Sequence, residues 1–310
     1  MHLSNNLEDK FIGSFVGLSL GDALGAPYEG GFLERALWKI FSRTPTGKIR
    51  WTDDTQMSID IAETLIEKKK IDEHFLSQKF ASSYKWTRGY GPAAAKVLKS
   101  IKKGTKWEIA SRQIYREGSL GNGGAMRSPI VALMNFDNEK SLVREINKAT
   151  KITHGHPLAI EGAILIGLAI SLSLKSANAI EINRKILEFS KDNIFREKSQ
   201  KSLNWLENDT KTTPKEVSKI LGNGIRASDS CITSIYLGLR FSSCSFLEMI
   251  KFIRKCGGDV DTLCSMSSSI WGAINGFSNI PNDLFNELED GKKIQSLAND
   301  LYKIKMGLPS

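Results

Sequence analysis

No C-x-x-C pair occurs in this chain, and its four cysteines, Cys231, Cys244, Cys256 and Cys264, all fall in the last third. That pattern argues against a zinc ribbon or a thioredoxin-type centre and leaves reduced core thiols as the expectation. Histidine is equally scarce. His154 and His156 have an H-x-H spacing, but His2 and His74 are poorly placed to complete a zinc site and no cysteine is near. No G-x-G-x-x-G turn follows an apolar strand and no β-α-β alternation appears, so a Rossmann domain is not expected. The longest nearly apolar run, Ala163 to Leu174, is far short of the roughly 20 residues of a membrane span and reads as a buried helix. The opening residues MHLSNNLEDKFIGSF lack the basic start and uninterrupted apolar stretch of a secretory signal. A cytoplasmic protein is expected, with signal-free export left open. There is no repeat of fixed period and no low-complexity linker.

What is present suffices for a large core: 310 residues, 41% of them hydrophobic, with apolar positions recurring at helical spacing. Phe11, Phe15 and Leu18 form one stripe, Ile59, Leu65 and Ile66 a second, and Phe246, Ile250 and Ile253 a third. The expectation is an all-α protein forming a single domain over 1–310, with the polar stretch Asn204 to Lys219 as a surface loop or crossover. The net charge is +9, but the basic residues are scattered and interleaved with acids, as on a solvated surface. The tryptophans at 38, 51, 86, 107, 205 and 271 fall mostly within apolar helical patterns, where core packing is their expected job. Neither a specific nucleic acid nor a membrane is expected as a partner. A monomer is expected, and its positive excess would help to attract an anionic substrate.

Glycines cluster between the helical stretches, at Gly21 to Gly31, Gly89 to Gly91, Gly118 to Gly124, Gly222 to Gly224 and Gly257 to Gly258, where special backbone angles or close approach to a ligand are wanted. Acids stand beside them. Trp51-Thr52-Asp53-Asp54-Thr55-Gln56 opens an amphipathic helix running toward Lys68, and Gly257-Gly258-Asp259-Val260-Asp261-Thr262 precedes a small-residue helix from Leu263 to Gly276. Singly, each is a helix cap, because Thr and Asp satisfy the first N–H groups and acids suit the positive end of the dipole. Together, each supplies two carboxylates and a hydroxyl at a helix entrance, a hard-cation ligand set. Four carboxylates sharing one pocket would repel one another unless cations sat between them, and a pair of Mg²⁺ or Mn²⁺ ions is the natural solution. The crowded glycines from Gly118 to Gly124 leave backbone N–H groups able to approach phosphates, or else form a plain connector. Arg127 suits a phosphate or an internal salt bridge equally. Glu29, followed by two glycines, is either a solvent-facing loop acid or, beside a metal pocket, a carrier of protons.

In this order the motifs resemble the ADP-ribosylglycohydrolase family, which includes the dinitrogenase-reductase-activating glycohydrolases and the ADP-ribosyl-acceptor hydrolases. The resemblance rests on Gly21-Asp22-Ala23-Leu24-Gly25 with Glu29, Trp51 to Thr55, Arg88-Gly89-Tyr90-Gly91, Gly121 to Arg127, Thr153-His154, and Gly258 to Thr262. It spans nearly the whole chain. It implies a compact orthogonal all-α bundle with two Mg²⁺ or Mn²⁺ ions held by Thr52, Asp53, Asp54, Asp259, Asp261 and Thr262, Asp261 bridging them. It also implies that Gly118, Ser119, Leu120, Gly121 and Asn122 hold the diphosphate of ADP-ribose, with His154, Gly89, Tyr90 and Gly91 lining the pocket. The implied reaction is hydrolysis of the bond between ADP-ribose and an acceptor, with Glu29 and Asp54 as the catalytic carboxylates. The implied substrate is an ADP-ribosylated protein or a small molecule such as poly(ADP-ribose) or O-acetyl-ADP-ribose.

Glu29 and the Arg88 to Gly91 turn look more like the serine-type acceptor hydrolases, which remove O-linked ADP-ribose, than like the arginine-specific N-glycosidic type, which is the alternative. Two departures stand out. Val260 replaces the usual threonine and is expected to point away from the metals. Leu120 occupies a place where some serine-type members carry an aromatic that stacks on adenine. Other readings fare worse on the same residues. The D-x-D of Asp259 and Asp261 fits a haloacid-dehalogenase-type phosphatase, but Lys255-Cys256-Gly257-Gly258 precedes it in place of an apolar strand. A catalytically silent ADP-ribose-binding protein on the same fold would be marked by lost metal ligands, and none is lost.

Overall fold

The computed structural model describes residues 2–30, 38 and 42–309; Gly31, which ends the first glycine cluster, lies outside them. Two helices, His2–Gly25 and Val260–Asn275, pack along each other at the centre. The first carries glycine at every fourth position from Gly13 to Gly25. A Cβ would stand 2.6 Å from Gly272 O at Gly13, 2.5 Å from Ser268 O at Gly17 and 2.6 Å from Asp261 Cα at Gly25, and would collide with Cys264 O at Gly21. Only hydrogen fits along this seam. Ser14 and Ser269, whose hydroxyls lie 2.9 Å apart, complete it. The close approach brings Gly25 against Asp261 and so places the end of the first helix beside the second acidic motif.

The other helices build outward from this pair. Ala227–Arg240 and Phe246–Cys256 pack on Val260–Asn275, and Pro157–Leu174 packs on Ala227–Arg240, Glu139–Lys151 and Ser128–Asn135. Asp53–Lys68 lies against Ser128–Asn135 and Gly291–Met306. Helix starts follow capping chemistry, with full capping boxes at Ser245 with Glu248 and at Thr213 with Glu216. No strand occurs among the described residues; isolated bridges pair Ile49 with Arg43 and Leu288, and Gly121 with Arg226. The fold is all-α.

Four details differ from expectation. The stretch from Asn204 to Lys219 is largely helical, ending Asn193–Glu207 and entering Pro214–Ile220, because Pro214 follows the Thr213 cap at the first helical position. The apolar run at Ala163 belongs to an 18-residue helix starting at Pro157, long and apolar enough to cross a membrane, of which 67% is buried inside the protein. Cys231, Cys256 and Cys264 are buried free thiols, but Cys244, in the turn before the Ser245 cap, is exposed. Trp86 is 80% exposed, since in its short turn Arg88 takes the inward place instead.

Candidate active site

The apolar stripe of Phe11, Phe15 and Leu18 continues to a fully buried carboxylate, Asp22. Its Oδ1 and Oδ2 accept from Thr52 N at 3.1 and 2.9 Å, and Oδ2 accepts from Thr55 N at 3.1 Å and Thr55 Oγ1 at 2.6 Å. A side chain from another helix thus satisfies N–H groups that a local cap would serve, and Thr52 Oγ1 receives only a long 3.4 Å approach from Asp54 N. A second brace lies behind. Arg88 donates to Trp51 O at 2.8 Å and to both oxygens of Glu289 at 2.7 and 2.8 Å, and stacks 3.5 Å from the centroid of the Trp51 ring. The segment that presents Asp53 and Asp54 is therefore held from both ends of the chain.

The second acidic motif begins at Gly258, whose φ of 78° and contact with Asn223 O exclude a side chain. Asp259 N donates to Asn223 O at 2.8 Å, and Asp259 Oδ2 accepts from Asn122 Nδ2 at 2.5 Å. Asp261 Oδ1 accepts from Thr262 N at 2.8 Å. Val260 is fully buried and does not reach the cavity, as expected from its place between the two acids.

A cavity of about 510 Å³ joins these motifs to the glycine loop. Glu29, Asp53, Asp54, Asp259, Asp261 and Thr262 line it, together with Gly89, Gly91, Gly118 to Gly123 and His154. The loop is pinned by Asn122 N to Ile225 O at 2.9 Å and Ala227 N to Leu120 O at 3.0 Å. Thr52 and Tyr90 do not line the cavity. Thr52 is sealed beneath the Asp22 clamp, and Tyr90 packs edge-on against Tyr84 with its hydroxyl buried. Arg127 turns neither to the cavity nor to a carboxylate for its hydrogen bonds: fully buried, it donates to Ala149 O and Thr153 Oγ1. His156, the other half of the H-x-H pair, accepts from Leu158 N at a helix start.

Burial raises the carboxyl pKa values of Asp22, Asp53, Asp54, Asp259 and Asp261 above the usual range. Like charges raise three of them further, Asp22 acting on Asp53 and Asp54, and Glu29 and Asp259 acting on Asp261. Asp54 Oδ2 is buried without a hydrogen-bond partner, and ligand oxygens of Glu29, Asp259 and Asp261 lie within 4.8 Å of one another. A divalent cation among Glu29, Asp259 and Asp261 would cancel the repulsion, and one within reach of Asp54 would give the orphaned oxygen a partner. The donors are all hard oxygens, without imidazole or thiolate, which fits Mg²⁺ or Mn²⁺.

The motif pattern of the sequence gives Asp22 no role, and Tyr115, Ile225 and Arg226 are among the lining residues that the pattern does not mark. Asp22 did carry a signal: a charge four residues after Leu18 on an otherwise apolar stripe. The other three lie in loops without periodicity and carried none.

A family model described as ADP-ribosylglycohydrolase matches residues 3–307. The chain is 31% identical to ADP-ribosylhydrolase ARH3 of Gallus gallus, over 95% of its own length and 93% of that protein's. It is 28% identical to ADP-ribosylhydrolase ARH3 of Homo sapiens over 95% and 93% of the two chains, and 27% identical to an uncharacterized protein of Archaeoglobus fulgidus over 97% and 98%. A solved structure titled ADP-ribosylglycohydrolase-related protein complex shares the fold, with a TM-score of 0.73 at 21% identity, covering 97% of this chain and all of that one. With the family model spanning almost every residue and the acidic motifs meeting in one cavity, the chain belongs to the ADP-ribosylglycohydrolase family, hydrolases that act on glycosyl bonds.

Proposed function

We propose that this enzyme uses divalent cations to release ADP-ribose from an acceptor, with O-linked serine as the preferred linkage. The observation that carries the reading is the meeting of an acidic cluster and a glycine-bordered loop in one cavity. The acids suit cations and ribose hydroxyls, and the loop leaves room for a diphosphate. Glu29 and the Arg88 to Gly91 turn carry the likeness to serine-type enzymes.

Asp53, Asp54, Asp259, Asp261 and Thr262, which line the cavity, would hold two Mg²⁺ or Mn²⁺ ions together with Thr52, which lies outside the lining. When bound, these ions neutralise the acids, orient the ribose hydroxyls and make water easier to deprotonate. The protein's own carboxylates handle the proton. Water oxygen adds to the anomeric carbon, Glu29 takes the proton that water loses, and the bond from that carbon to the acceptor oxygen breaks. Glu29 then returns the proton to the departing oxygen. Asn122 holds Asp259 in place, and Leu120 leaves adenine stacking to Tyr115, which is 49% exposed and lines the same cavity.

The test is release of free ADP-ribose from serine-linked and arginine-linked peptides, with Mg²⁺ or with EDTA, by the wild type and by Asp261→Ala. Release from the serine-linked peptide that needs both the metal and Asp261 is expected. Cleavage of the arginine-linked peptide alone would replace the linkage assignment, and ADP-ribose binding without cleavage of either would make this a binding protein.

A further inference from the structure

His154 lines the cavity, and its two ring nitrogens have different surroundings. Its Nδ1 lies 2.7 Å from Thr153 Oγ1, and Thr153 Oγ1 accepts from Arg127 Nη2 at 2.8 Å. Arginine has no lone pair to offer, so the direction of this chain is set at its buried end. Thr153 must accept from Arg127, and its own hydroxyl proton has no recipient among the described residues except His154 Nδ1. Thr153 is 2% exposed, so a wasted hydroxyl proton there would be costly. With Nδ1 accepting, the ring's one proton sits on Nε2. That atom runs beside Gly121 and Gly123, where a Cβ would stand 3.1 and 2.9 Å from it, and no protein group among the described residues bonds it.

We propose that Arg127 and Thr153 are positioning residues that lock His154 in its Nε2–H form, giving the cavity one fixed, uncharged donor for an acceptor oxygen held along Gly121 to Gly123. The oxygen's identity rests on the proposed function, under which it belongs to the diphosphate or a ribose of ADP-ribose. The lock itself does not. Burial and the Arg127 charge lower the His154 pKa to about 3, in keeping with a ring that stays neutral. Fixing one tautomer matters because a ring that flips its proton to Nδ1 would turn a lone pair toward the anion.

The test is nitrogen NMR of protein labelled at its four histidines, assigned with His154→Gln, at neutral pH. Nδ1 of His154 should give the signal of a bare ring nitrogen and Nε2 that of a protonated one. Thr153→Val should mix the two forms and weaken ADP-ribose binding by about tenfold, while Thr153→Ser keeps both the tautomer and the affinity. A proton on Nδ1 in the wild type would overturn the proposal, as would a Thr153→Val protein with unchanged tautomer and affinity. The wild-type spectrum decides even if the valine variant does not fold. Failure of ADP-ribose to bind the wild type would strike at the proposed function and leave the tautomer result standing.

Discussion

Asp22 governs the candidate site from outside its cavity. Its two oxygens accept from three donors at the start of the Asp53–Lys68 helix, and among the described residues no other side chain holds Thr52 N. Asp22→Asn would turn an amide N–H toward backbone N–H groups, leaving buried donors unpaired. We expect a loss of about 2–4 kcal/mol in urea unfolding, and at least a tenfold fall in metal-dependent ADP-ribose release. Unchanged stability with lost activity would instead place Asp22 among the direct ligands. Tyr115 is the converse case, exposed and outside any packed network. Tyr115→Ala should leave stability within about 0.5 kcal/mol and weaken ADP-ribose binding by about 1–3 kcal/mol, as read by calorimetry. An unaltered affinity would remove it from the adenine contact. These two residues mark what a sequence reveals at this scale. A charge on an apolar stripe is visible as an anomaly, although its partner is not. An aromatic in an aperiodic loop offers nothing to distinguish it until the fold brings it to the cavity that Leu120 also lines.

Helices carry the site by how closely they approach, and the glycine stripe of His2–Gly25 decides that approach. At Gly21 an added methyl would press on the Cys264 carbonyl, and at Gly17 on that of Ser268, where backbone rather than a pliable side chain stands in the way. Gly17→Ala and Gly21→Ala are each expected to destabilise by about 1–3 kcal/mol in thermal melts. Gly21→Ala should also weaken metal binding, because it pushes Asp22 away from the second acidic motif. If Gly21→Ala melts normally, the two backbones have room that their spacing denies. The acidic helix starts were readable, since Thr52 and the paired acids follow capping rules, and Asp53–Lys68 ends where the pattern toward Lys68 ended. The second began earlier than read, at Val260, because Asp259 already serves as the cap position. Of the stripe, Gly21 and Gly25 look like loop punctuation in the sequence, and Gly13 and Gly17 stand outside any glycine cluster. The four-residue period was present, but glycine is read first as a breaker, and only a partner helix turns that spacing into a seam.

For the molecule as a whole, the acids buried at the centre set a balance between pH and metal. Asp60, buried on the inner face of Asp53–Lys68, has its pKa raised to about 7 by burial, with Glu63 adding to the rise and Ser83, Lys79 and Gln56 opposing it. The folded chain therefore holds this proton more tightly than the unfolded one, whose carboxyl titrates near 3.8. Its contribution to stability is complete below about 3.8 and is lost as pH climbs through about 7. Asp60→Asn removes that dependence, so the variant should gain on the wild type by a few kcal/mol as pH rises from 4 to 8, and hold level beyond. The cluster at the cavity penalises the metal-free fold in another way, through mutual repulsion that a cation cancels. Adding Mg²⁺ at a hundred times its dissociation constant should stabilise the wild type by about 2.7 kcal/mol, and EDTA should reverse it. Asp60→Asn should keep this increment, because Asp60 lies outside the cavity lining. Asp261→Asn should lose it while melting higher than the wild type in EDTA, having shed one repelling charge. These paired melts separate a fold that merely tolerates buried acids from one that gives up stability to hold a cation where glycosidic chemistry needs it. A wild type indifferent to Mg²⁺, or an Asp261→Asn protein that still gains from it, would place the cation elsewhere.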